Sequence, residues 1–227
     1  MKQTILLISF ISIAFLLQAQ NFSIGPTTGF GHSWIDHINH FSYAKFSRRF
    51  DPTWNAGFSL IYTTKKYFGL GIDIKYSAEG DKAHASNYVS GDIESPAGTA
   101  IYYENYIRVP VKFIYFFRKN TNTVQPEIYF GPSFGFSTSL KGNFKNDAGN
   151  NPQNKSDVSH QIKNFDFGSL VGAGLNFKIN RSLSLNTNIA YYQGLIDVLK
   201  DYSPAYHITG YNGNISFNGG LLYKLNY

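Results

Sequence analysis

The chain has 227 residues with 17 Tyr, 20 Phe, 2 Trp, 21 Gly and no Cys. Charged residues make up only 15%, against roughly a quarter in a soluble domain, yet the mean hydropathy of −0.23 excludes a bundle of membrane helices. The lack of Cys excludes a disulfide scaffold, Cys-based zinc sites, thiol catalysis and a lipoprotein anchor.

Lys2 precedes an apolar run from Ile5 to Leu17, followed by Gln18-Ala19-Gln20. A basic start on so short an apolar stretch predicts a secretory signal peptide over 1–19, cleaved after Ala19, with the working domain over 20–227. Beyond it no run with a 3.6-residue period occurs. Alternation with period two recurs instead, in segments rich in Tyr, Phe, Ile, Val and Thr. It predicts strands at about 22–31, 53–63, 67–79, 101–117, 126–140, 164–178, 182–194 and 212–227.

Each strand has two unlike faces. In 165–177 the odd positions include Phe165, Phe167, Val171, Leu175 and Phe177, and the even ones Asp166, Gly168, Gly172, Gly174 and Asn176. The last strand sets Ile215, Phe217, Leu221, Tyr223 and Tyr227 against Asn214, Ser216, Asn218, Gly220 and Lys224. A polar face this rich in Gly, Ser and Asn suits the crowded interior of a narrow barrel whose apolar face meets lipid. The connections alternate in length. Those at 64–66, 118–125 and 179–181 are short, and those at 32–52, 80–100, 141–163 and 195–211 are long. Short periplasmic turns and longer extracellular loops produce that asymmetry. The expected fold is therefore all-β, an eight-stranded antiparallel up-and-down transmembrane β-barrel with both termini periplasmic, in the cell outer membrane.

Aromatic residues fall near the two expected interfaces. Trp54, Tyr76, Tyr103, Phe165 and Tyr191 mark the outer one, and Tyr62, Phe68, Phe117, Phe177 and Tyr227 the periplasmic one. Trp54 to Tyr62 spans about 27 Å of strand, or roughly 20 Å of height once tilted, close to the apolar band of such a wall.

Several segments resemble a known family. They are Asp73-Ile74-Lys75-Tyr76-Ser77-Ala78-Glu79-Gly80, Tyr106-Ile107-Arg108-Val109-Pro110-Val111, Tyr129-Phe130-Gly131-Pro132, Asp166-Phe167-Gly168 with Gly172 and Gly174, and Tyr191-Tyr192-Gln193-Gly194-Leu195. In these the chain resembles the PorT-like outer-membrane β-barrel proteins of Bacteroidetes-type bacteria. Arg108 stands where that family usually has Glu, Ala190 where it has Arg, and Asp73 where it has Glu. The resemblance implies location and architecture; it does not transfer a role in secretion.

Alternation places Asp73, Lys75, Glu104, Arg108, Lys112, Glu127, Asp166, Lys178 and Lys224 on the inner face. An eight-stranded barrel is just wide enough for side chains to fill, so these charges must pair. Asp73, Arg108 and Glu127 come from three consecutive strands and predict an acid–Arg–acid lumen cluster, since the planar guanidinium can serve two carboxylates. Structural plugging is favoured over a proton or ion path. Pro110, inside a strand, predicts a bulge.

Chemistry is scarce. His32, Asp36, His37 and His40 could ligate a metal, but a loop has no helical face to converge them, and solvated histidines are favoured. Ser33 with His32 and Asp36, and Ser203 with His207, have no nucleophile elbow around them. Gly29, Gly31, Gly69 and Gly71 alternate within strands, unlike a phosphate-binding turn. No enzymatic activity, cofactor or metal is expected, and no nucleic-acid partner for an exported barrel. Without Lys2 the chain has 19 basic and 14 acidic residues, and basic residues in the first and third long loops invite contact with lipopolysaccharide.

The expected function is a barrel with a filled lumen and a structural or surface-interaction role through its extracellular loops, with outer-membrane lipid and lipopolysaccharide as partners. The alternatives are an accessory component of a transport or secretion assembly, and a soluble periplasmic β-barrel binding a small apolar ligand.

Overall fold

A computed structural model describes residues 21–38, 46–64, 67–85, 88–90, 93–95, 97–119, 123–147, 156–200 and 209–225. The predicted signal segment 1–19 and Tyr227 lie outside the described residues. The strands are β1 (Asn21–Ile38), β2 (Phe46–Arg48), β3 (Pro52–Thr63), β4 (Phe68–Ala85), β5 (Tyr88–Ser90), β6 (Ile93–Ser95), β7 (Gly98–Phe116), β8 (Val124–Asn146), β9 (Ser156–Asp157), β10 (Phe165–Lys178), β11 (Leu183–Gly194) and β12 (Thr209–Leu225). One 3-10 turn, Ser159–Gln161, interrupts them.

Ten of these strands share one antiparallel sheet, and β5 and β6 form a small separate pair. The eight predicted segments correspond to β1, β3, β4, β7, β8, β10, β11 and β12, each paired on both sides. Neighbours in sequence are neighbours in the sheet, β12 pairs with β1, and β8 pairs with both β7 and β10. The two further strands of the sheet, β2 and β9, are short additions to β4 and β8.

Several strands run well past the predicted ends, all at the end with long connections. β1 continues to Ile38, β4 to Ala85 and β8 to Asn146, and β7 begins at Gly98. The backbone ladder persists there, as between Thr99 and Lys145, but the alternation that marks one buried face does not. Pro110 causes no register shift: Ile72 faces Val111 and Lys75 faces Arg108 in one continuous register. The missing N–H removes a bond from the ladder without adding a residue. The irregularity lies instead at Asn105/Tyr106, opposite Ser139 and Ser137.

The wall is apolar outside and polar inside. Phe30, Phe58 and Phe130 are more than 60% exposed, and outward Ile72, Ile74, Phe113, Val171, Ile189 and Phe217 are exposed as well. Asp166 and Glu104, by contrast, are 0% and 1% exposed, and Asp73, Arg108, Lys112 and Glu127 are buried. Water would not tolerate the first set nor a soluble core the second. The order inverts a soluble fold, and the apolar surface needs lipid around it.

The inner face is not polar throughout. At the end with short connections Ile61, Ile114, Phe116, Tyr129, Ala190 and Leu222 pack into one apolar layer, with Leu170 against it. Ile114 and Phe116 are in phase with Arg108 and Lys112, so β7 carries a charged inner face that turns apolar in its last four residues.

Candidate functional site

Among the described residues, buried charge and hydrogen-bonding capacity concentrate in the interior, which is built in layers. Nearest the end with long connections, Arg108 on β7 grips Glu79 on β4 with two parallel bonds, Nε to Oε1 at 2.7 Å and Nη2 to Oε2 at 2.6 Å. Its third nitrogen, Nη1, donates to Oδ2 of Asp166 on β10 at 2.9 Å. The guanidinium carbon lies 4.3 Å from the ring centre of Tyr106 and 4.2 Å from that of Tyr192. Asn212 on β12 donates to both Asp166 Oδ2 and the Tyr106 hydroxyl. One cation thus joins β4, β7, β10 and β11 directly and β12 through Asn212. A planar, permanently charged fork can bond in its plane and stack on both faces, which a lysine cannot.

Arg108 reaches Asp166 only because the strand between them offers no side chain. Gly135 of β8 is paired with Arg108 on one side and Asp166 on the other. A Cβ there would lie 2.7 Å from Nη1 and 3.2 Å from the Asp166 Cβ.

The middle layer holds the second charge group. Asp73 accepts from Lys112 Nζ at 2.7 Å and Lys75 Nζ at 3.2 Å, and from the Ser59 hydroxyl. Glu127 accepts from Asn186 Nδ2 at 2.9 Å. Amides relay onward from there. Asn186 accepts from Asn188, Asn188 Oδ1 accepts from the Tyr129 hydroxyl and Asn218, and Asn218 Oδ1 accepts from Asn55. A cavity of about 60 Å³, room for a few waters, lies between the layers with Asp73, Lys112, Arg108 and Asn188 on its walls. The Tyr129 hydroxyl is a link in this relay, so Tyr129→Phe is expected to lower stability by about 1 kcal/mol. Urea unfolding in lipid vesicles measures it, and an unchanged midpoint would contradict the relay.

The predicted cluster of Asp73, Arg108 and Glu127 therefore divides. All three are buried, but the acids on Arg108 are Glu79 and Asp166. Asp73 belongs to the lysines, and Glu127 to Asn186. The reason is reach: Lys75, not Asp73, stands directly opposite Arg108, and the long Arg side chain extends along the wall to Glu79. The clue in the sequence was parity, since Glu79 is in phase with Asp73 and Lys75, as Asp166 is with Gly168.

Of the predicted interfacial aromatics, Trp54, Phe68, Tyr76, Phe117, Phe165 and Tyr191 are exposed on the outer surface. Tyr62, Tyr103 and Phe177 are half-buried. Neighbouring rings touch across strands, Trp54 with Tyr76 at 5.6 Å, Phe22 with Tyr62 at 5.2 Å and Phe136 with Phe165 at 5.5 Å.

The polar residues of the first long connection are engaged elsewhere. His32 Nδ1 is 3.0 Å from the backbone of Asp51 and its ring stacks on Phe50. Ser33 donates to the Gly80 carbonyl, and Asp36 accepts from Arg48 and the Trp34 indole. The His37 side chain, His40, Ser203 and His207 lie outside the described residues. Among the described residues no three His, Asp or Glu side chains converge as metal ligands.

An inverted wall with a charged interior matches one family over most of its length: residues 18–200 fit the outer membrane protein beta-barrel domain. The chain belongs to that family. It resides in the cell outer membrane, surrounded by that membrane's lipid. The match corrects the PorT-like, Bacteroidetes-type assignment read from the strand and turn segments. Those segments are wall and turn sequences that a small barrel needs whatever its subfamily, so they carried architecture and no narrower lineage. Solved structures similar to the chain include the outer membrane protein OprG from Pseudomonas aeruginosa, at 12% identity and a TM-score of 0.43, covering 92% of this chain and 98% of that one. Outer Membrane Protein W of E. coli matches at 15% identity and a TM-score of 0.42, over 92% and 100% of the two chains. Neisserial surface protein A matches at 12% and 0.41, over 88% and 95%. No curated protein matches the chain in sequence.

Proposed function

We propose that the chain is an eight-stranded up-and-down transmembrane barrel with both termini periplasmic, whose lumen carries no flux and whose outer end serves as an interaction surface. The cross-lumen clamp at Arg108 carries this reading. A side chain bonded to β4 and β10, with Asn212 of β12 joining the cluster from the facing wall, stands above a layer formed by Ile61, Ile114, Phe116 and Leu222 and bounds a cavity of about 60 Å³. The ring of strand pairings, in which β8 meets β10 and β12 meets β1, supports closure.

The surface role rests on strand length. A tilted strand crosses the bilayer in about 9–11 residues, whereas β8 has 23 and β7 has 19. Their excess lies at the end with long connections, where β2 and β9 widen the sheet. On the same reading residues 1–19 are the export signal, and the two aromatic sets are interfacial belts flanking the apolar band. The mass of the protein extracted from outer membranes tests the cleavage after Ala19.

Reconstituted into planar bilayers, the wild-type protein is expected to show no stepwise conductance. Steady channel openings of the size that a water-filled barrel gives would overturn the packed-lumen reading.

A further inference from the structure

The chain carries more basic than acidic residues, and the excess lies at one end. The long connections at 32–52, 80–100, 141–163 and 195–211 hold nine of each sign. With Lys178 and Lys224, the inward residues at the strand ends, counted with the end they reach, the other inward charges of the wall are three basic and five acidic. The end with short connections holds Lys65, Lys66, Arg118, Lys119, Lys178, Arg181 and Lys224, and no acid. The whole positive excess beyond the signal segment therefore belongs to that end.

These charges have no structural use within the described residues. Arg118, Lys119 and Arg181 are exposed. None of Arg118, Lys119, Lys178, Arg181 or Lys224 is ion-paired to a carboxylate among the described residues, whereas the interior lysines and Arg108 are. Lys178 also feels the like charge of Lys224. A cluster of like charges with no carboxylate paired to it among the described residues suits an anion from outside the chain.

Their depth identifies it. Exposed Phe117, Ile179, Tyr115 and Tyr223 stand beside them on the apolar surface. The connections that carry them are short, with only four residues between β10 and β11. Cations held on short turns beside lipid-facing aromatics sit at the level of headgroup phosphates and cannot project far beyond it.

We infer that this end is a binding rim for anionic glycerophospholipids, with Arg118, Lys119 and Arg181 engaging their phosphates. The leaflet concerned, the inner one of the outer membrane, rests on the orientation proposed above; the binding itself does not.

The full chain in micelles containing equal phosphatidylglycerol and phosphatidylcholine provides the test, with retained lipid read by native mass spectrometry. Wild type is expected to prefer phosphatidylglycerol, and R118Q/K119Q/R181Q to lose about tenfold of that preference, as removing several surface cations implies. The control K141Q/K145Q/K200Q, at the opposite end, should keep it. Equal retention of both lipids by wild type, a preference that survives the rim substitutions, or an equal loss in the control would overturn the inference. So would rim-dependent sedimentation with isolated peptidoglycan in the absence of any lipid preference. Orientation is read separately. Thr123→Cys in intact cells should escape an impermeant maleimide, and its labelling would refute the orientation while leaving the micelle result standing.

Discussion

Replacing Arg108 by Leu is expected to lower the unfolding free energy in lipid vesicles by about 3–5 kcal/mol, the usual consequence of removing one partner from a buried ion pair. The substitution leaves the Glu79 and Asp166 carboxylates, 6% and 0% exposed, without their counter-charge. It also removes the group stacked between Tyr106 and Tyr192. Urea titration followed by the fluorescence of Trp34 and Trp54 reports the change. Arg108→Lys keeps the charge but cannot make the fork to Glu79 while bonding Asp166, so it should fall between wild type and R108L. If Arg108→Leu fails to insert, the variant E79L/R108L/D166L removes all three charges together and should recover much of the loss, because a fully apolar replacement has no desolvated charge to satisfy. An Arg108→Leu protein within 1 kcal/mol of wild type would show that the clamp contributes little. Conductance should stay absent in all three, since the apolar layer at Ile114 and Phe116 lies below the clamp and does not depend on it.

Much of the wall was legible in the sequence, because a surface with lipid on one side and packed polar groups on the other imposes a period of two. Phe165 to Phe177 shows that period almost without a break, and β10 ends within a residue of its predicted limits. Where the two faces are no longer unlike, the period has no cause. Gly98 and Thr99 in succession are both buried, and Phe144 and Lys145 in succession both exposed, so the outer parts of β7 and β8 read as loops. The interior was legible as a set of residues except for Glu79, which lies at the end of the predicted strand, but not as a set of partners. Parity told which charges face inward, whereas partner choice depends on stagger and side-chain length. Those decide that Arg108 extends to Glu79 and past Gly135 to Asp166, leaving Asp73 to Lys112. The apolar layer was overlooked for a related reason. Ile114 and Phe116 share the phase of a charged face, and nothing in a single strand says that the inner face changes character along its length.

Gly135 offers the sharper test of the clamp, because it has no side chain to bond to the cluster and leaves the path open by being small. Gly135→Val is expected to cost about 2–3 kcal/mol, in the range of an overpacked interior. The nearest atom to the new Cβ would be Arg108 Nη1 at 2.7 Å. The end of a free arginine could swing aside at little cost. This one is held in its plane by two bonds to Glu79 and from both faces by tyrosine rings, so relief requires giving up the bond to Asp166. The cost should therefore depend on Arg108 being present. In the cycle of wild type, G135V, R108L and the double variant, the valine is expected to be at least about 1 kcal/mol less harmful on the R108L background, as residues in direct contact couple by such amounts. A penalty of the same size on both backgrounds would mean that the valine disturbs the β8 ladder itself. In that case the open path over Gly135 would not be what lets one guanidinium reach carboxylates on opposite sides of β8.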